Sequence, residues 1–246
     1  MIEASVFLSP DLYKHNKSNY KNTLAVIIDV YRATSSFSVL FDVGLESIIP
    51  TAEIDDLLKH RANSDLLIAA ERGGDKLPFA DFGNSPTEYL KHDFKGKTIA
   101  YSTTNGTRAI EAARNNKKVI TACFNNLSAV VDFIINEKVS EIAIICSGWE
   151  NNPCIEDTLC AGAIIDKIEE NIKPNEVFIK NDSANMAYEL WKNNKHNFEK
   201  LIKKGNHYER LYKRNLLSDL EYCLKIDVSK SVPVLTGDGK LVNGEW

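Results

Sequence analysis

Several things are missing from this chain, and each absence excludes something. No apolar run approaches the roughly 20 residues needed to cross a bilayer. The opening segment, MIEASVFLSPDLYKHNK, carries an acid at its third position and too short an apolar run for a secretory leader. A cytoplasmic location is therefore the expectation. Cysteine is sparse: Cys123, Cys146, Cys154, Cys160 and Cys223 make an odd set of 5, with no CxxC pair. That spacing indicates neither a disulfide framework nor a zinc cage, and predicts packed thiols. Basic excess is missing too. The 30 Lys and Arg against 34 Asp and Glu leave a net charge of −4, and the cations are scattered. No nucleic-acid partner is expected. No GxGxxG follows any strand-like run, which removes a dinucleotide-binding Rossmann enzyme. Linkers and low-complexity tracts are also absent, so residues 1–246 read as one α/β domain, with two intimately packed lobes as the alternative.

What is present is an alternation. Short β-branched runs such as TLAVIIDV (23–30), ESIIPTA (46–52), LLIAA (66–70), KTIAY (97–101), KKVITACF (117–124) and SEIAIIC (140–146) are separated by helical patterns. The segment from 183 to 223 reads as helix broken near Gly205, and VPVLTGDGKLVNG (232–244) reads as a β-hairpin. Strands alternating with helices predict a three-layer arrangement. A largely parallel or mixed sheet is covered by helices on both faces.

Three times a buried strand runs into a polar cluster that opens a helix: at Asp29–Ser36, at Ser102–Thr107 and at Cys146–Asp157. Ligands of open α/β sheets bind beyond the carboxyl ends of the strands. There the next helix offers unpaired N–H groups and a partial positive charge that suit phosphate. STTNGT (102–107) supplies hydroxyls from Ser102, Thr103, Thr104 and Thr107, an amide from Asn105, and a close backbone approach at Gly106. Helix capping explains one such residue and not five. DVYRATSS (29–36) places Asp29 at a strand end. Arg32 is then available to pair with it, or to clamp an oxyanion in a bidentate way. Glu71 and Asp81 in ERGG and DFGNSP are candidate ligands for a hard cation, and Arg72 and Lys76 for an anion. Solvated loop charges explain each of these four as well. Ser85 and Pro86 read as the N-cap and first position of a short helix. Glu156 and Asp157 fall in the first turn of a helix, where acids also stabilise the dipole with no further role. Beside Asp29 they suit magnesium, which takes oxygen ligands. Carboxylates, an arginine and hydroxyl-rich helix starts at successive strand ends fit magnesium-assisted phosphoryl chemistry, where positioning and charge neutralisation dominate.

As an ordered set, DVYRATSS, ERGG with DFGNSP, STTNGT, CSGW…EDTLCAG and DLEYCLKID…VPVL resemble the 2-phosphosulfolactate phosphatase family, over about residues 24–236. The resemblance implies a magnesium-dependent phosphatase that converts 2-phospho-3-sulfolactate to 3-sulfolactate, a step of coenzyme M biosynthesis. By motif it carries over Asp29 and Arg32, then Glu71 and Gly74, then Gly83, Asn84 and Ser85. Thr103, Asn105, Gly106, Thr107, Glu156 and Asp157 follow. Asp29, Arg32 and Asp157 are the expected catalytic groups. Asp29, Glu71, Glu156 and Asp157 are the expected metal ligands. Arg72, Asn84, Ser85, Thr103, Thr104, Asn105, Gly106, Thr107 and His207 are expected to bind substrate. The family's Ser-x-His-Gly stretch is replaced here by KGNHYERL, which keeps His207 alone. The implied substrate carries about three to four negative charges near neutrality, to be balanced by magnesium with Arg32, Arg72, Arg108 and His207. Two nucleophiles are open, metal-bound water or Asp29 itself, and the rigid placement of Asp29 favours the latter. A haloacid-dehalogenase-type phosphatase wants a second Asp where this chain has Tyr31. A non-catalytic anion-binding module and a phosphatase for another small phosphorylated acid stay open, as does the oligomeric state, a homodimer included.

Overall fold

The computed structural model describes residues 1–16, 22–61, 65–173 and 176–245. Its strands are β1 Ile2–Phe7, β2 Leu24–Ile28, β3 Ser47–Pro50, β4 Leu66–Arg72, β5 Asp75–Lys76, β6 Thr98–Ser102, β7 Lys118–Ala122, β8 Glu141–Cys146, β9 Val177–Ile179, β10 Pro233–Leu235 and β11 Leu241–Asn243. The helices are α1 Pro10–His15, α2 Ala33–Asp42, α3 Ile54–His60, α4 Pro86–Tyr89, α5 Gly106–Ala113, α6 Leu127–Asn136, α7 Ile155–Asn171, α8 Asp182–Asn194, α9 Phe198–Ile202, α10 Asn206–Tyr212 and α11 Leu217–Cys223. The strands join into one 11-stranded sheet in the order β5-β4-β6-β3-β11-β10-β7-β2-β8-β1-β9. No helix among the described residues is long and apolar enough to cross a membrane.

The expected α/β class, with a mixed and mostly parallel sheet, is what the chain adopts. β2 lies inside the sheet with both faces covered, which is why LAVII is apolar throughout. Leu24, Val26 and Ile28 point into a core shared with α6, α7 and α8. Ala25 and Ile27 point the other way, into a core shared with α2 and α5. α3 covers β4 and β6 through Leu57, Ile68, Ala70 and Ala100.

The sheet has two parallel blocks, β7-β2-β8-β1-β9 and β3-β6-β4. Between them stands the hairpin β10–β11, antiparallel to β7 on one side and to β3 on the other. Counted along the ladder, the two blocks run in opposite directions. Yet the residues that follow β2 and β6 touch: a Cβ on Gly106 would lie 2.9 Å from Asp29 Oδ2. A flat sheet forbids this. Right-handed twist, about 20–25° per neighbour, accumulates over the steps from β2 to β6 and wraps the sheet around α2. Every residue of α2 from Ala33 to Phe41 is buried. Two of the three serines of that helix are satisfied internally, Ser35 by the Val30 carbonyl at 3.0 Å and Ser38 by the Ser35 carbonyl at 2.9 Å, while the buried Ser36 hydroxyl has no hydrogen-bond partner.

Differences from the sequence reading lie at the margins. β1, α1 and β9 were not foreseen. IEASVF interrupts its apolar pattern with Glu3 and Ser5, and β9 is three residues at the sheet edge. The segment 183–223 is four helices and not two. Asn197 leaves helical geometry at φ −153° to start α9, and Asn215, with φ 61°, ends α10 in the left-handed region that Asn tolerates. EIDDLLKHRANS (53–64), one of the helical patterns between the strand-like runs, forms α3 over Ile54–His60, and residues 62–64 lie outside the described residues.

Leu241, fully buried and paired with Ile48, anchors the hairpin between the two blocks. Leu241→Ala is expected to cost about 2–5 kcal/mol in urea unfolding. A loss below about 1 kcal/mol would show that the hairpin does not hold the blocks together.

Candidate active site

Asp29 follows β2 directly and is locked at its backbone. Its N–H donates to Thr34 Oγ1 at 3.0 Å, and its carbonyl accepts the Thr34 hydroxyl at 2.8 Å. Its Oδ1 accepts the Ala33 N–H at 3.4 Å, at the start of α2. Oδ2 lies against Gly106, the first residue of α5. A Cβ there would meet Ala33 Cβ at 2.7 Å as well as Asp29 Oδ2 at 2.9 Å. Gly106 is required so that two helix starts close on one carboxylate.

The loop before α5 divides its labour. Thr107 N–H donates to Thr103 Oγ1 at 3.4 Å, and the Thr107 hydroxyl donates to the Thr103 carbonyl at 3.0 Å. These bonds tie Thr107 to the helix start. Thr104 bonds Glu71 Oε1 twice, through its N–H at 2.8 Å and its hydroxyl at 3.1 Å. Asn105 makes no side-chain cap and faces a cleft. Glu71, at the end of β4, accepts the Gly74 N–H on its other oxygen at 2.6 Å.

Arg32 is buried and committed. Nη1 donates to Asp219 Oδ2 at 3.0 Å, and Nη2 to the Gly74 carbonyl at 2.9 Å. Its carboxylate partner is thus Asp219 and not Asp29. Asp219, on α11, also accepts the Ser85 hydroxyl at 2.7 Å and the Thr87 hydroxyl at 2.5 Å. Ser85 in turn caps α4 by accepting the Glu88 N–H at 3.2 Å, as its position before Pro86 predicts. Asn84 Oδ1 accepts the Tyr101 hydroxyl at 2.5 Å. Arg72 staples β4 to β6, donating to the Glu71 carbonyl at 2.6 Å and to Ser102 Oγ at 3.0 Å. Asp81 accepts the Ile68 N–H at 2.8 Å, and Lys76 reaches the Asp81 carbonyl at 3.3 Å.

Beyond β8 the chain makes a tight excursion, in which Trp149 and Asn152 pair across residues 150 and 151. Gly148, at φ 61°, permits it, since a Cβ there would sit 2.4 Å from the Asn152 carbonyl oxygen. Asp157, in the first turn of α7, accepts the Val30 N–H at 2.9 Å and the Gly148 N–H at 3.0 Å. One carboxylate thereby holds the loops after two adjacent strands. Glu156 Oε1 pairs with His207 Nδ1 at 2.7 Å. The His207 ring lies parallel to the Trp149 ring, with centroids 6.1 Å apart, and takes Tyr31 edge-on at 6.0 Å.

The cleft formed this way is lined by Asp29, Tyr31, Arg32, Glu71, Gly74, Asn84, Thr103, Thr104, Asn105, Trp149, His207, Arg210 and Leu211. Of the residues expected from sequence, Asp29, Arg32, Glu71, Asn84, Thr103, Thr104, Asn105 and His207 meet there. Arg72, Ser85, Gly106, Thr107, Glu156 and Asp157 stand directly behind it, in the contacts just described. Arg108 faces a separate hollow with Asp11 and Lys14. Cys146 is a fully buried thiol, as a packed cysteine should be.

Arg210, Trp149 and Asp219 were missed. Arg210 forms no ion pair among the described residues and lies over the Trp149 ring, 5.0 Å from its centroid. Its place three residues after His207 on α10 was the available signal, because that spacing puts both on one helix face. Asp219 carries no local signal, since its partners are 132 to 187 residues away.

Too many carboxylates share too little water. Burial pushes Asp29 up to about 6, with Glu71 and Glu156 adding to the rise, while His207 and the Ala33 N–H oppose it. Burial, Glu156 and Asp29 hold Asp157 well above the carboxylate range despite its two N–H donors. Burial and the neighbouring Arg214 lower Arg210. Glu156 Oε2 has no hydrogen-bond partner. A cleft lined by Asp29 and Glu71, underneutralised and built of hard oxygen donors, fits a divalent cation such as magnesium.

A family model described as 2-phosphosulpholactate phosphatase matches residues 8–238. Similar proteins include the probable 2-phosphosulfolactate phosphatases of Caldanaerobacter subterraneus, 34% identical over 89% of this chain and 90% of that protein, and of Thermotoga petrophila, 36% identical over 86% and 88%. The one from Gloeobacter violaceus is 32% identical over 99% of both chains.

Asp219→Ala should strip Arg32 of its only carboxylate among the described residues, and so leave a buried, unpaired guanidinium. The expected loss is about 3–5 kcal/mol of stability, read by denaturant unfolding. Wild-type stability would mean that the Gly74 carbonyl alone satisfies Arg32.

Proposed function

Because the chain belongs to the 2-phosphosulfolactate phosphatase family, we propose that it is a magnesium-dependent phosphatase releasing phosphate from 2-phospho-3-sulfolactate in the cytoplasm. One observation carries the reading: Asp29, Glu71, Asn105, and His207 with Arg210, from four separate segments, line a single cleft. Five cysteines, all free and buried, favour a reducing compartment.

Asp29 and Glu71 would hold the cation, which when bound neutralises phosphoryl oxygens and lets an anionic substrate approach acids. The start of α5 at Asn105 and Gly106, with the Thr104 and Asn105 side chains, receives the phosphate. Arg210, unpaired and partly desolvated, takes the sulfonate or carboxylate end of the substrate. Arg32 holds the Gly74 turn, and through it Glu71, in position. Asp157 keeps the loops after β2 and β8 together.

In the mechanism we favour, an Asp29 oxygen attacks phosphorus as the bond to the C2 oxygen breaks. His207 supplies the proton that the departing alkoxide needs. Glu156 holds Nδ1–H, turns the other ring nitrogen to the cleft and stabilises the imidazolium. Water then attacks the aspartyl-phosphate, its proton returning to His207. Phosphate leaves and Asp29 is regenerated.

Asp29→Asn is expected to abolish turnover, at least 10³-fold by analogy with loss of a nucleophile. Ionised Asp29 destabilises the fold at neutral pH by about 3 kcal/mol, because its carboxyl is raised to about 6 in the native state. That cost is absent below the unfolded value and complete above the folded one. The variant should therefore melt higher than wild type at pH 7 when no divalent ion is added. Wild-type-like phosphate release by the variant would remove Asp29 from the chemistry.

The same ionisation sets the pH profile. kcat/KM should fall as pH drops through the ionisation of Asp29, and the midpoint should move lower as magnesium is raised, because a bound cation favours the carboxylate that burial disfavours. A midpoint indifferent to magnesium concentration would exclude Asp29 as the titrating group. If the cleft is instead a binding module, the phosphorylated ligand should bind without magnesium and come back unhydrolysed.

A further inference from the structure

His207 stands between two spaces. One is the cleft; the other is a cavity of about 290 Å³ that reaches Cys154, Glu156 and His207 from the opposite side. Three donor atoms of different chemistry face each other at the cavity wall. Cys154 Sγ lies 3.7 Å from His207 Nδ1, Glu156 Oε1 lies 2.7 Å from the same nitrogen, and one donor atom from each residue falls within 4.8 Å of the others. All three residues are buried. Glu156 Oε2, within the same carboxylate, has no hydrogen-bond partner.

We propose that Cys154 Sγ, Glu156 Oε2 and His207 Nδ1 form a binding site for one thiophilic divalent ion of the zinc type. The sulfur–nitrogen separation is that of tetrahedral coordination. With Zn–S near 2.3 Å and Zn–N near 2.0–2.1 Å, neighbouring ligand atoms lie roughly 3.3–3.8 Å apart. The 3.7 Å between sulfur and nitrogen needs no rearrangement. The unpartnered carboxylate oxygen supplies the third ligand and gains the partner it lacks. Water from the cavity takes the fourth position. A sulfur, a nitrogen and a single carboxylate select zinc, cobalt or copper over magnesium, which requires oxygen ligands. The site is therefore separate in ligand chemistry from the Asp29 and Glu71 pair. Loading releases the Cys154 thiol proton to solvent, shifts the neutral His207 proton from Nδ1 to Nε2, and replaces the Glu156 hydrogen bond at Nδ1.

One consequence rests on the proton-donor role given to His207 above. A ring ligated through Nδ1 cannot become imidazolium, so occupancy should inhibit the magnesium-loaded enzyme.

Cobalt(II) alone is the probe, titrated into the full chain. The expected result is a thiolate-to-cobalt charge-transfer band in the near ultraviolet that saturates at one equivalent, whatever further cobalt the Asp29 and Glu71 cleft takes up. Cys154→Ser and Cys154→Ala should both lose that band while melting as wild type does. Asp29→Asn should keep it. Absence of cobalt binding, a cobalt spectrum without the thiolate band, or a band that survives both Cys154 variants overturns the site. In the activity arm, zinc should inhibit wild type at least tenfold more potently than Cys154→Ser, whose basal turnover is unchanged. A thiolate band without inhibition would keep the metal site and discard the role of His207. Inhibition without the band would discard the metal site and leave the phosphatase reading standing.

Discussion

Buried negative charge is the constraint on which this molecule depends. Asp29, Glu71, Glu156 and Asp157 are each no more than 5% exposed. An isolated carboxylate kept from water costs several kcal/mol. Here much of the compensation comes from main-chain donors: Ala33 for Asp29, Gly74 and Thr104 for Glu71, Val30 and Gly148 for Asp157. All of those donors sit in loops beyond strand ends or at helix starts. The carboxylates therefore hold the loops, and the loops hold the carboxylates. What this exchange leaves uncompensated is net charge, and net charge is what draws a cation to the cleft.

The sheet makes such an arrangement reachable. Its two parallel blocks point opposite ways along the ladder, and only the coil around α2 turns their carboxyl ends toward each other. A helix enclosed on all sides favours small or apolar side chains, and ATSSFSVLF provides them. Ser35 and Ser38 bond main-chain carbonyls of their own neighbourhood, so the interior accepts hydroxyls without distant partners.

Much of this was readable from sequence, for a physical reason. A strand that runs into a polar helix start fixes where Asp29, Thr103, Thr104 and Asn105 emerge, because local geometry decides it. The α/β class follows from the same alternation. What was not readable is whether a polar side chain at such a position faces the ligand space or faces its neighbours. Arg72, Ser85 and Thr107 have the residue types of a binding loop, yet they spend their hydrogen bonds on Ser102, Asp219 and Thr103. Arg32 illustrates both outcomes, since it lines the cleft and is also pinned by an acid far along the chain. Asp219 and Trp149 fall within the quoted motifs DLEYCLKID and CSGW, but their roles are tertiary and neither motif assigns them.

The hairpin β10–β11 has a bearing on how the molecule comes into being. Among the described residues it supplies the only ladder between the two blocks, and its residues, 233–243, follow every described strand of both blocks along the chain. During synthesis the earlier block pairings have all their strands available, while the rungs that unite them are still being made. Closure of the coil, and with it the meeting of Asp29 with the start of α5, is thus postponed until the hairpin itself has left the ribosome. Until then the nascent chain exposes two unfinished sheet edges to whatever chaperone attends it.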